Sequence, residues 1–215
     1  MPIPACVTWS YELLGLVSGA LGLSVAVPQL VRVLRADSHE GVSILTWIIS
    51  LGNFAIWGAY GLRYDSPSQL VTNALACVLT VALVFVLVRQ ARGAVWAAVV
   101  AGGTVAGFAS VGYFTPVWLM TGVLFSMVAS GKVPQMVASV RSYARRRRTV
   151  VSKTTYVLML ASSFGWITYG SLTGLWHNIV ASSFTVFASV FILFFETRTR
   201  DGDAGDAGEP HTVEQ

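Results

Sequence analysis

Long apolar runs broken by short polar connections set the pattern of this 215-residue chain. A membrane-crossing helix needs about 20 mainly apolar residues, because in lipid its backbone groups must bond within the helix itself. The runs predict seven such spans, over residues 12–33, 43–62, 68–88, 93–113, 116–140, 153–172 and 175–195. The longest connection is the basic stretch Arg141 to Lys153, which contains Arg145-Arg146-Arg147-Arg148. Beyond residue 196 the sequence turns to Asp, Gly, Glu and Pro, so the tail, 197–215, is expected to be disordered.

Composition agrees with the pattern. Hydrophobic residues make up 54% of the chain and charged residues 11%, where a soluble domain carries about a quarter charged. No basic region precedes the first apolar run, which therefore reads as a retained span and not a cleaved signal.

Charge then orients the spans. Arg63 stands alone on one side, whereas Arg32, Arg35, Arg89, Arg92, the Arg141–Lys153 stretch, Arg198 and Arg200 fall on the other. The basic side is the cytoplasmic one, so the N-terminus is expected outside and the tail inside, in a bacterial plasma membrane. The arginine run is better read as a topology signal touching anionic lipid headgroups than as a nucleic-acid site. Lys132 is the basic residue left within a span.

Two of the spans carry the same interruption. Val27-Pro28-Gln29 and Val133-Pro134-Gln135 each sit late in an apolar run. Proline removes one helical hydrogen bond and frees a carbonyl, which in lipid must find another partner. A static kink is one reading. A hinge is the other, favoured here because a glutamine amide follows the proline in both copies. The repetition extends further. Trp57-Gly58-Ala59-Tyr60-Gly61 matches Trp166-Ile167-Thr168-Tyr169-Gly170, and Asn73 matches Asn178. Spans 1–3 thus align with spans 5–7, and span 4 has no counterpart. An odd number of spans per copy would invert the second copy, and the extra span restores a parallel arrangement. The expected fold is an all-α membrane protein of seven transmembrane helices, two parallel three-helix bundles joined by a linker helix. The units are residues 11–90, 91–114 and 115–196.

Depth singles out candidate site residues. Trp57 and Asn73 each lie about five residues from the same membrane face, roughly 7–8 Å deep at the helical rise. Trp166 and Asn178 repeat this, so the two pairs are expected to form one pocket. An indole offers an apolar ring face, and an amide offers two donors and an acceptor to a polar solute. The competing readings are an interfacial tryptophan belt and asparagines that bond neighbouring helices. Tyr60 and Tyr169 are candidates for a gate or, equally, for the belt. Gly15, Gly19 and Gly22, and Gly103 with Gly107, suggest close helix packing. His177 stands beside Asn178 without an acid nearby in sequence.

Lys132 has two readings. It snorkels to the headgroups, or it faces the path and selects an anionic solute. The first is the expectation.

Other chemistry is not indicated. Cys6 and Cys77 form no motif, no metal-ligand spacing occurs, and no cofactor is implied. No nucleophile–base or paired-carboxylate set falls in the spans, so an enzyme is not expected. No acid is placed mid-span, which favours facilitated diffusion over proton symport.

The two Pro-Gln pairs, the Trp-x-x-Tyr-Gly motifs and the two asparagines, in the same order twice, resemble the PQ-loop superfamily, and within it the SWEET and SemiSWEET sugar transporters. The resemblance covers about residues 11–196. It implies bundles packed in the order 1-3-2, passage of mono- or disaccharides by alternating access, a sugar site at Trp57, Asn73, Trp166 and Asn178, and a cytoplasmic hinge at Pro28, Gln29, Pro134 and Gln135. The larger SWEET proteins also have prolines in the second and sixth spans, which are absent here, so the chain looks more like two fused SemiSWEET units of bacterial type. The expected function is transport of a small neutral solute, a sugar before an amino acid. A membrane receptor or scaffold is the alternative from another class. Two repeats complete a path within one chain, which leaves assembly into a homo-oligomer open.

Overall fold

The computed structural model describes residues 5–35, 43–145 and 153–206. They form seven helices: α1 (Ala5–Arg35), α2 (Ile44–Arg63), α3 (Pro67–Arg92), α4 (Ala94–Phe114), α5 (Val117–Ala144), α6 (Lys153–Thr173) and α7 (Trp176–Asp206). Five of them, α2 to α5 and α7, are long and apolar enough to cross a membrane. The centre of α6 carries Ser162, Ser163 and Thr168, hydroxyls that lower its apolarity.

Most predicted ends fall within a few residues of the observed ones. Two helices run further. α1 starts at Ala5 instead of 12, and α7 continues through Asp206 instead of stopping at 195. Extending an existing helix costs little compared with starting one, and the Thr197 hydroxyl bonds back to the carbonyl of Leu193. Part of the expected disordered tail is therefore helical, and residues 207–215 lie outside the described residues. So does most of the arginine run, residues 146–152.

The helix reversals are tight. Asp65 between α2 and α3 has φ 48°, and Gly174 between α6 and α7 has φ 75°. The two copies thus use a left-handed residue at the same point. Glycine takes that conformation without cost, and aspartate is among the few side chains that tolerate it. Gly93, at φ 92°, makes the turn from α3 to α4 by itself.

In each bundle the third helix packs between the other two: α3 between α1 and α2, α7 between α5 and α6. The linker α4 packs on α2 and α3. Gly112 of α4 lies so close to α2 that an added Cβ would meet the carbonyl oxygen of Ile56 at 2.6 Å. The opposite face of α4 exposes Val95, Trp96, Val99 and Phe114, as a lipid-facing surface does.

The two bundles meet along α1–α6 and α2–α5. Ile56, Trp57 and Tyr60 of α2 join Met120 and Leu124 of α5 and Ala181 of α7 in one buried cluster across that boundary. Gly15 and Gly19 allow α1 to close on α3, facing Ser68 and Thr72. Gly103 and Gly107 do not serve packing within the described chain, since nothing lies within 4 Å of a Cβ built on either.

Candidate functional site

Between the bundles lies a cavity of about 310 Å³. Trp57, Asn73, Trp166 and Asn178, expected to share a pocket, all line it. The helical face of α2 that carries Trp57 also brings Asn53, one turn away, to the same wall. Trp57 is 9% exposed, and each indole packs edge-on against the tyrosine three residues later. The centroid separation is 5.5 Å in both copies.

The asparagines are coupled through a residue that the repeat did not reveal. Asn73 Nδ2 donates to Gln69 Oε1 at 3.1 Å and to its backbone carbonyl at 2.8 Å. Gln69 Nε2 then donates across the bundle boundary to Asn178 Oδ1 at 2.6 Å. The direction of this chain leaves Asn178 Nδ2 as a buried donor without a partner among the described residues. Asn53 Oδ1 is a buried acceptor in the same condition. Buried amide groups rarely stay unbonded, because desolvation costs about 1–3 kcal/mol each. The wall is completed by hydroxyls on both sides, among them Thr72, Ser162, Ser163 and Thr185.

The candidate gate residues follow the two tryptophans by one helical turn, at one end of the bundles. Tyr60 and Tyr169 are 0% and 1% exposed. Each reaches into the other bundle. The Tyr60 hydroxyl meets His177 Nδ1 at 3.2 Å, and that ring stacks on Trp176. The Tyr169 hydroxyl donates to Glu12 Oε1 at 2.7 Å. Ser66 Oγ lies 2.6 Å from the same hydroxyl and, with the tyrosine proton so engaged, is the donor. Glu12 Oε2 accepts the backbone N–H of Ser68 at 2.7 Å, in the first turn of α3. A carboxylate there is favoured by the helix dipole. It supplies the cap that Ser66, occupied by Tyr169, does not. The earlier start of α1 is what makes Glu12 available: it lies inside the helix, not at its edge. The carbonyl of Thr115, between α4 and α5, accepts from Arg63 at this end.

The opposite end is built differently. Among the described residues, the bundle-crossing side-chain hydrogen bonds lie at the tyrosine end or at cavity level, the deepest being Ser162 Oγ to the carbonyl of Ser18 at 2.8 Å. Pro134 lies inside α5. Gln135 Oε1 accepts from Tyr156 of its own bundle at 3.3 Å. Ser139 donates to Glu196, buried in α7, at 2.9 Å. Pro28 lies in helical backbone of α1, and its side chain and that of Gln29 lie outside the described residues. Lys132 is half-buried, and its ammonium sits 3.6 Å from Met159 Sδ. The contact lies about 9 Å along α6 from Lys153, by helical rise. Met159 itself lines the cavity.

No family model and no curated protein sequence matches the chain. Its structure matches that of a eukaryotic SWEET transporter with a TM-score of 0.71, over 89% of this chain and 99% of that one, at 16% identity. The chain has the SWEET fold. It is an integral membrane protein of seven helices, two parallel three-helix bundles and a linker. In this SWEET fold the cavity sits where the two bundles face each other, and the linker α4 contributes no wall to it. Gln69 is the residue that sequence reasoning missed. It stands one turn before Asn73 on the same face of α3, but the residue four before Asn178 is Gly174, already in the turn, so the repeat gave it no weight.

Proposed function

We infer that this protein carries a small hydroxylated solute of the sugar class across the plasma membrane by facilitated diffusion. The observation that carries the reading is the two-indole, two-asparagine cavity between the bundles, with an unbonded donor on Asn178 and an unbonded acceptor on Asn53. Indole faces suit the C–H faces of a pyranose ring, and the amides and hydroxyls suit its alternating donors and acceptors. The fold shared with a SWEET transporter supports the same reading.

Alternating access follows from the two unlike ends. The tyrosine end is held shut by Tyr60 with His177 and by Tyr169 with Ser66 and Glu12. With the tyrosine end shut, the cavity can open only at the proline end, which the charge asymmetry puts in the cytoplasm; the state is then inward-facing or occluded. Opening outward then requires the tyrosine contacts to break and the bundles to close below the cavity. Pro28 and Pro134, each removing one rung of the helical ladder, are where α1 and α5 bend to do so.

The test is uptake of radiolabelled hexoses, disaccharides and amino acids into proteoliposomes. Saturable sugar uptake, with exchange against internal sugar and no dependence on a proton gradient, is the expected result. Transport of amino acids alone, or of nothing, rejects it.

A further inference from the structure

We propose that the cavity prefers a polyhydroxylated anion, a sugar acid or sugar phosphate, whose charged group is received by Lys132. The proposal rests on the sugar-transport reading above and narrows it.

Four observations carry it. Lys132 is a cation in the membrane-embedded part of α5, where a charge needs a partner or water. Among the described residues its hydrogen-bond partner is the thioether of Met159, at 3.6 Å, and thioether sulfur is a weak acceptor. Met159 belongs to the cavity wall, on the same face of α6 as Ser162, Ser163 and Trp166. The ammonium therefore stands just behind the wall that a solute touches. Among the described residues no carboxylate is paired with it: Glu196 accepts from Ser139, and both oxygens of Glu12 are bonded at the other end of the molecule. The wall itself is made of indoles, amides, hydroxyls and apolar side chains, so a solute anion meets no opposing charge there.

A carboxylate or phosphate arriving from the proline end exchanges the N–H···S contact for a charge-assisted bond, which is shorter and about twice as strong as a neutral one. Hydroxyls at the other end of the solute then reach Asn178 Nδ2 and Asn53 Oδ1. A neutral sugar gains the second set of contacts and leaves Lys132 on sulfur.

The experiment compares glucose, glucuronate and glucose 6-phosphate in proteoliposomes, with binding to purified protein followed by quenching of tryptophan fluorescence. In the wild type, one or both anions should outcompete glucose by about tenfold or more, as a charge-assisted bond predicts. Their flux should respond to an imposed potassium diffusion potential. Lys132→Met should abolish that preference and leave glucose within about threefold, a shift too small for one lost bond. Lys132→Arg and Met159→Leu should retain it. A response to glucuronate alone identifies the carboxylate, and a response to the phosphate alone identifies the phosphate. Equal or stronger competition by glucose in the wild type overturns the proposal even if no variant can be purified. So does a Lys132→Met protein that loses glucose and glucuronate in parallel, which assigns the lysine to packing. Absence of binding and uptake for all three overturns the sugar reading itself, and the proposal with it.

Discussion

Gln69 does more than either asparagine flanking it. It accepts from Asn73 and donates to Asn178, so it holds both amides and bridges the bundles. Gln69→Leu is expected to break the bond between the bundles and strip Asn178 of its partner, while Asn73 keeps its bond to the backbone carbonyl of position 69; Asn73→Ala leaves that bridge in place. At about 1 kcal/mol for each lost bond, sugar binding should fall several-fold for Asn73→Ala and by an order of magnitude for Gln69→Leu. Titration of tryptophan fluorescence in detergent reads both, since Trp57 and Trp166 line the same cavity. Glycines can be ranked at this scale as well. Gly112→Ala drives a Cβ against the backbone of Ile56 and should cost about 1–3 kcal/mol through overpacking. Gly103→Ala, with open space around it, should be neutral or slightly stabilising, as alanine is the better helix former. Thermal unfolding in detergent separates the two.

At the level of helices, the contrast is between an end tied by side chains and an end that carries a proline in α1 and in α5. Tyr169 joins α6 to α1 and to the N-terminal side of α3 through Glu12 and Ser66. Tyr169→Phe removes both bonds, keeps the ring against Trp166, and should shift the population toward the state open at the tyrosine end. A cysteine at Asn178, otherwise buried at 2% exposure, should then react faster with an impermeant thiol reagent added outside. Unchanged reactivity would mean that packing alone closes this end. Pro134→Ala acts oppositely. It restores a rung in α5 and should slow transport while binding stays near wild type. Parallel loss of binding would mark it as a structural proline.

At the scale of the whole molecule, the pseudo-twofold relation is kept by the frame and broken in the details. Both copies share the Trp–Tyr edge contact, the left-handed turn residue and the asparagine in the cavity wall. Gln69, Lys132 and His177 belong to one copy each. Orientation in the membrane is the property tested most simply. Cysteine at Arg145 or Asp203 should resist an impermeant reagent in intact cells, and cysteine at Ser10 should react. Labelling at Arg145 from outside would invert the inward-facing assignment.

The spans, the duplication and the matched depth of Trp57, Asn73, Trp166 and Asn178 were legible in the sequence, because each depends on local quantities. Apolar run length fixes a span, and helical rise fixes a depth. What only the tertiary structure decided depends on contacts between residues far apart in the chain. The Gln69–Asn178 bond joins positions 109 residues apart, and nothing local to Gln69 marks it as a bridge. Glu12 looked like an edge residue because apolarity, not helicity, sets where a span seems to start. The structure extends α1 to Ala5 and turns that carboxylate into a tie between bundles. Position alone suggested snorkelling for Lys132 and named no neighbour for it. The direction of a flexible side chain is set by which neighbour its helix faces, and α5 faces it toward Met159 at the cavity wall.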